Sequence, residues 1–289
     1  MNDEKDFLGT QPVGKLLMRL ALPTVTAQII NMLYNIVDRI YIGHIPDVGA
    51  MALTGVGVCM PLIMIVTAFA AFVGYGGAPR ASIFMGRNDQ DAAEQTLGNC
   101  FVVQIAVSAL LTAALLLWNR DFLMAFGASE NTIEYGVAYM NIYALGTVFV
   151  QITLGMNAFI TAQGFARTGM LSVLIGAVAN IILDPIFIFG LNLGISGAAL
   201  ATALSQCISF GILFFQSLLR KDCVHLKPGK ITLSLSLYGE ILHGGIPSLC
   251  RQGVASIATA ALNVAANPFG DAAIAALSIV SRYMMFIGS

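Results

Sequence analysis

Charge is what this sequence is short of. Asp, Glu, Lys and Arg together make up 10% of its 289 residues, against about a quarter in a soluble globular domain. Hydrophobic residues make up 57%, and mean hydropathy is +0.82. That combination excludes a water-soluble domain and indicates an integral membrane protein. The little charge present has no dominant sign: the net is −1, and no basic stripe with interleaved aromatics occurs, which sets nucleic acid aside as a partner. The cysteines lack any CxxC or Cys/His spacing. Cys59, Cys100, Cys207 and Cys250 lie in apolar stretches and read as small packing residues, while Cys223 lies in a basic loop. Enzymatic signatures are missing too: there is no GxSxG, no HExxH and no P-loop. The glycines of GYGGAP (74–79) and GVG (55–57) lack a following Lys-Ser or Lys-Thr and lie in an apolar run, where small residues let helices approach. Neither an enzyme nor a cofactor is expected. The N-terminus opens with polar and small residues, including acids, ahead of its first basic cluster. It does not resemble a cleaved signal peptide, so the first apolar segment is expected to stay as an anchor and a span.

What is present is apolar length. A helix needs about 20 mainly apolar residues to cross a hydrocarbon core about 30 Å thick. Segments of that kind fall at 16–43, 49–78, 92–118, 132–162, 168–190, 195–219 and 237–266, with an eighth starting at 272. VSALLTAALLLW (107–118) does not alternate as a barrel strand would. The expected fold class is therefore all-α and polytopic. Lys5, Lys15, Arg19, Arg80, Arg87, Arg167, Arg220, Lys221, Lys227 and Lys230 fall on alternate loops, whereas the opposite loops carry Arg120 among Asp47, Asp121, Glu130 and Glu134. The charge bias places the N-terminus in the cytoplasm.

The most polar interruption, 219–236, divides the chain into a six-helix lobe (1–218), a cytoplasmic linker and the start of a second lobe (237–289). Across it the sequence repeats at an offset of 224: Pro23 with Pro247, Gln28 with Gln252, Asp47 with Asp271, Ala52 with Ala276, Leu53 with Leu277, Val56 with Val280, Met60 with Met284 and Ile63 with Ile287. An even number of intervening spans gives the copies the same orientation, a plan in which substrate is handled between the halves. The second copy stops inside its second span, which reads as a shortened chain.

Two carboxylates interrupt these spans: Asp38 in NMLYNIVDRIYIG and Asp184 in NIILDPIFIFG. An ionised group at membrane depth is expensive by a few kcal/mol and marks a pathway or a paired site. Asp38 lies five residues before Gly43 and Asp184 six before Gly190, so at about 1.5 Å per residue both sit roughly 8–9 Å below the outer end of their helices. Asn180 is one turn below Asp184 on the same face, and Thr202, on a span running the other way, reaches a similar level. Asp38, Asn180, Asp184 and Thr202 thus form a candidate cation- or proton-binding cluster, since oxygen ligands suit Na⁺ and two close carboxylates favour keeping one proton. The structural alternative has Asp38 pairing with Arg39 or snorkelling outward, and Asp184 exposed at a helix end broken by Pro185. Pro185 is expected to bend the helix and to free a carbonyl near Ile181 beside the acid.

Tyr34, one turn before Asp38, and Tyr139, at similar depth on the fourth span, are candidates for a substrate cavity or for helix packing. Asn157 is a third candidate, placed nearer the cytoplasmic end and away from direct ligation. Gln28 and Gln252 either line a passage between lobes or hydrogen-bond between helices, and Arg251 and Arg282 face a cavity or a loop rather than lipid. In FMGRNDQDAAEQT (84–96), Asp91 with Glu94 three residues later reads as a capping box.

Taken together, these residues resemble the multidrug and toxic compound extrusion family, MATE. The resemblance covers ALPTVTAQIINMLYNIVDRIYIGH (helix one), MGRNDQDAAEQTLGN (second loop), NIILDPIFIFGLNLGISGAALATALSQ (helices five and six) and GIPSLCRQGVASIATAALN (helix seven). It implies twelve helices in two six-helix lobes, with alternating access driven by Na⁺ or H⁺ antiport. In its DinF-like and archaeal members an Asp of helix one, an Asn and an Asp of helix five and a Thr of helix six bind the cation, matching Asp38, Asn180, Asp184 and Thr202. The NorM-like branch adds a glutamate on helix seven, whereas 241–266 here contains no acid. The resemblance implies a multi-pass cell-membrane antiporter of amphipathic or cationic small molecules, surrounded by lipid and monomeric, with no cofactor beyond the coupling ion. Three alternatives are a lipid-linked oligosaccharide flippase of the same superfamily, whose cavity is expected to carry several basic residues, a seven-helix receptor, whose N-terminus faces outside, and a nonfunctional fragment.

Overall fold

The computed structural model describes residues 12–219 and 235–288, with Val224, Leu226, Gly229, Ile231 and Thr232 between them. The expectations for Lys5, Arg220, Lys221, Cys223, Lys227 and Lys230, for most of the 219–236 linker and for the Arg282 side chain lie outside the described residues. Among the described residues eight long helices follow one another: α1 (Val13–Gly43), α2 (Gly49–Gly86), α3 (Gln90–Ala125), α4 (Ile133–Ala162), α5 (Ala166–Pro185), α6 (Gly194–Leu219), α7 (Leu235–Ala266) and α8 (Asp271–Gly288). The described residues contain no strand. Helices α1 to α6, with α5 extended to Gly190, are long and apolar enough to cross a membrane. Helix α7 has the length, but Glu240, His243, Arg251, Gln252 and Asn263 make it more polar. Moving α1 and α2 along by the 224-residue repeat puts their first residues within two positions of those of α7 and α8.

The helices alternate in direction, so the bundle has a distal end, at Gly43, Gly49 and Gly190, and a proximal end, at Gly86, Gln90 and Ala162. Helix α2 is the axis of the bundle and packs on α3, α4, α7 and α8, whereas α1 lies to one side and packs chiefly along α5. Apolar side chains of α1 such as Leu17, Leu22, Leu33 and Ile40 stay exposed, as suits a helix bordered by lipid or by further protein. The buried residues form a distal core around Ile42, Val56, Ile133 and Met140 and a proximal core around Phe72, Leu97, Phe159 and Leu213.

Small residues let α2 and α7 approach closely. A Cβ on Gly76 would collide with the Ile241 carbonyl, and one on Gly245 with the Phe72 carbonyl. The Pro61 carbonyl of α2 accepts from Ser256 Oγ of α7 at 2.8 Å. Below this seam, at the proximal end, Arg80 pairs with Glu240 and Tyr238 donates to Asn99 Oδ1 at 3.0 Å.

One local expectation changes, and another, the fifth span running through Asp-Pro to residue 190, takes a specific form. The cap of α3 is Asp89, not Asp91: Asn88 takes φ of 57°, which turns Asp89 under the helix so that its Oδ1 accepts from the Ala92 amide at 3.0 Å. Asp91 is already inside the first turn, and Glu94 is buried one turn further along. At the Asp-Pro pair, α5 does not stop. It widens into a π-helical turn over Ile186–Gly190, closed by the Leu191 amide on the Ile186 carbonyl at 2.8 Å. Gly197 lets α6 lie directly on that turn, because a Cβ there would meet the Phe187 backbone at 2.7 Å.

Candidate functional site

Packing of α1 along α5 brings together the two acids that interrupt their apolar runs. Asp184 is fully buried and Asp38 is 5% exposed, and the two lie within electrostatic reach of one another. Neither group snorkels outward, and Asp184 is not an exposed helix end. Arg39 directs its Nη2 to the Met60 sulfur of α2, at 3.0 Å, in keeping with the roughly 100° between adjacent helical residues.

Asn180 is fully buried one turn below Asp184, and its Nδ2 reaches Asp184 Oδ1 at 3.4 Å. Two acceptors here have no hydrogen-bond partner among the described residues: Asp184 Oδ2 and Asn180 Oδ1. Native interiors rarely leave such atoms unpaired, because each costs on the order of 1–3 kcal/mol. Two orphaned oxygens at the level of two acids make a site with unused capacity for a proton or a small hard cation. The π-helical turn begins one residue beyond Pro185 and so borders Asp184, and π-turns inside α-helices concentrate at functional sites.

Asp38 opens onto a cavity of about 310 Å³ between α1, α2, α4, α6 and α7, and Tyr34, Tyr139 and Thr202 also line it. The Tyr139 ring stacks with that of Tyr143 at 6.1 Å and lies within electrostatic reach of Asp38 and Arg39. Asn180 and Asp184 are fully buried and are not among the residues that line this cavity. Asn157 stands apart. It bridges α4 and α5 by donating to the Gly169 carbonyl at 3.2 Å, and it lines an adjoining proximal cavity of about 470 Å³.

The structure adds residues that the sequence reading did not single out: Asn35, Tyr143 and Gln206 face the same cavity as Asp38. Helical spacing held the signal, since each follows another polar residue by one turn: Asn31, Tyr139 and Thr202 lie four positions earlier. Gln28 and Gln252 both line this cavity as well as an adjoining one of about 600 Å³, and Thr67 Oγ1 lies 3.4 Å from Gln252 Oε1. Arg251, left open between cavity and loop, faces the larger cavity.

A family model described as MatE matches residues 23–186. Among curated proteins, the chain is 27% identical over 292 residues to multidrug export protein MepA of Staphylococcus haemolyticus (strain JCSC1435), covering 99% of this chain and 63% of that protein. It is 26% identical over 294 residues to MepA of Staphylococcus aureus (strain NCTC 8325 / PS 47), with the same coverage. Among solved structures, the MATE multidrug transporter DinF-BH, solved as a complex, superposes with a TM-score of 0.91 at 31% identity, over 96% of this chain and 62% of that one. The inward-facing conformation of a multidrug resistance MATE family transporter of the MOP superfamily superposes with a TM-score of 0.84 at 26% identity, over 94% of this chain and 61% of that one. The chain spans about 63% of the length of these curated relatives.

Proposed function

The chain belongs to the MatE family, and we propose that it provides the coupling lobe of a secondary active antiporter that exports amphipathic, often cationic, small molecules in exchange for Na⁺ or H⁺. The observation that carries this reading is the pair of buried carboxylates, Asp38 and Asp184, within electrostatic reach of each other and backed by orphaned oxygens of Asn180 and Asp184. A proton or Na⁺ arriving there would cancel a charge that lipid and protein cannot solvate. Asp38 and Asp184 bind the ion, Asn180 supports Asp184 from one turn away, and Thr202 adds a hydroxyl from α6. Tyr34 and Tyr139 shape the substrate chamber, and Asn157 lines its proximal extension.

Ion binding would then act through α1. This helix packs mainly on α5 and carries Pro23, so relieving the repulsion between Asp38 and Asp184 lets α1 bend toward α5 and narrow the distal cavity, which expels the substrate. In this reading residues 1–218 are one lobe, 219–236 a cytoplasmic linker and 237–289 the beginning of the second lobe. The N-terminus and the proximal end are cytoplasmic, the protein is a monomer in the cell membrane, and it is a carrier rather than an enzyme.

The test is dye export by the full-length protein in proteoliposomes carrying an imposed Na⁺ or H⁺ gradient. Export that follows one gradient and stops when an ionophore collapses it is the expected result. Dye movement indifferent to both gradients would sink the antiport reading.

A further inference from the structure

The cavity of about 600 Å³ is bounded by α1, α2, α4 and α7, and its walls are of two kinds. Met32, Met64 and Leu154 offer flexible apolar surface, which adapts to flat ring systems. Gln28, Thr67 and Gln252 offer neutral polar groups. The volume lies in the range that takes a drug-sized ligand. Among its lining residues Arg251 carries the single formal charge, and no Asp or Glu is present. Arg251 makes no hydrogen bond or ion pair with any described residue.

The position of Arg251 follows from the α2–α7 seam. The Gly245 contact with Phe72 and the Ser256 bond to Pro61 fix the rotation of α7, and the three residues between those anchors that line this cavity are Arg251, Gln252 and Ala255. The distal cavity with Asp38 shares Gln28, Asn31 and Gln252 with this one. Asn31 and Asp38 are seven residues apart on α1, about 10 Å along the axis. The two adjoining cavities therefore present an acid toward the distal end and, about two helical turns below, a guanidinium with no partner among the described residues.

We propose that Arg251 is a specificity-determining residue of the substrate chamber. It accepts the carboxylate of zwitterionic or anionic amphiphiles whose ring system lies against Met32 and Met64. The guanidinium fork matches a carboxylate with two parallel hydrogen bonds, a geometry that lysine does not reproduce. In a cavity lined by no competing acid the contact is charge-assisted. The inference rests on the export reading above, because it assigns part of the same chamber.

The experiment measures binding of a matched pair of dyes, a carboxylate-bearing xanthene and its ethyl ester, to the purified full-length protein by fluorescence anisotropy. Wild type, Arg251→Gln and Arg251→Lys are compared. Arg251→Gln is expected to weaken the carboxylate dye by about tenfold or more and to leave the ester unchanged, with Arg251→Lys in between. Retained ester binding shows that the variant is folded, and Arg251→Lys supplies the same comparison if Arg251→Gln does not fold. Equal loss of both dyes, or loss of neither, overturns the inference; the latter is the result if an acid elsewhere in the full-length protein already pairs with Arg251. Ester binding without any ion-driven export would instead defeat the antiport reading while leaving the Arg251 comparison intact.

Discussion

Glu240 sits near the proximal end of α7, paired with Arg80, and both side chains are partly open, at 42% and 31%. Asp184, in the distal half of α5, is fully buried, with an amide at 3.4 Å as its hydrogen-bond donor and no ion-pair partner among the described residues. The first acid needs its partner least, because partial exposure already solvates it, and such pairs contribute about 0–1 kcal/mol. The second needs a cation most and has no fixed one. A bundle that merely had to be stable would reverse that arrangement, or replace Asp184 with an apolar residue. On the proposed reading the distal acids are kept for a positive charge that comes and goes, and the proximal pair is part of the scaffold.

The contrast can be broken at several points. The largest expected effect is at Asp184: Asp184→Asn should lower ion-driven dye export by at least about tenfold, while the thermal midpoint of the purified protein stays level or rises, because a buried charge is expensive to hold. A fall in midpoint with export intact would make Asp184 structural. Next is the seam. Gly245→Val should destabilise by about 1–3 kcal/mol through overpacking against Phe72, read as a lower thermal midpoint, and an unchanged midpoint would mean that α7 does not pack this closely. Asn180→Ala removes the donor to Asp184 Oδ1 and should shift the ion dependence of export several-fold toward higher concentration without abolishing it. The smallest effect belongs to Glu240→Gln, worth about 1 kcal/mol or less and shrinking as salt is raised. A large, salt-independent loss there would erase the distinction between the two ends.

Much of this arrangement was legible beforehand. Apolar length gave the helices in order, and burial of Asp38 and Asp184 at one level follows from their distances to Gly43 and Gly190. Hydropathy misjudged the ends, because a helix continues wherever its backbone bonds are made and not only where lipid surrounds it: α2 runs on past Arg80 to Gly86, and α3 to Ala125. The expected stop of the third span at residue 118 coincides with a real break, since Trp118 takes φ −126° and ψ 15° inside α3. The cap moved from Asp91 to Asp89 because a positive φ at Asn88 is a local event that spacing does not report. The facing of Arg251 was not legible, because the rotation of α7 is set by contacts between residues nearly 200 positions apart, such as Pro61 and Ser256.

The most direct measurement is a mutant cycle on the two acids, with the full-length protein reconstituted and dye export driven by the coupling ion. If Asp38 and Asp184 share one ion, Asp38→Asn and Asp184→Asn each bring export to background and the double variant is no worse than either, as expected of groups that act as a unit. Wild-type export by either single variant, or partial losses that multiply in the double variant, would contradict a shared site.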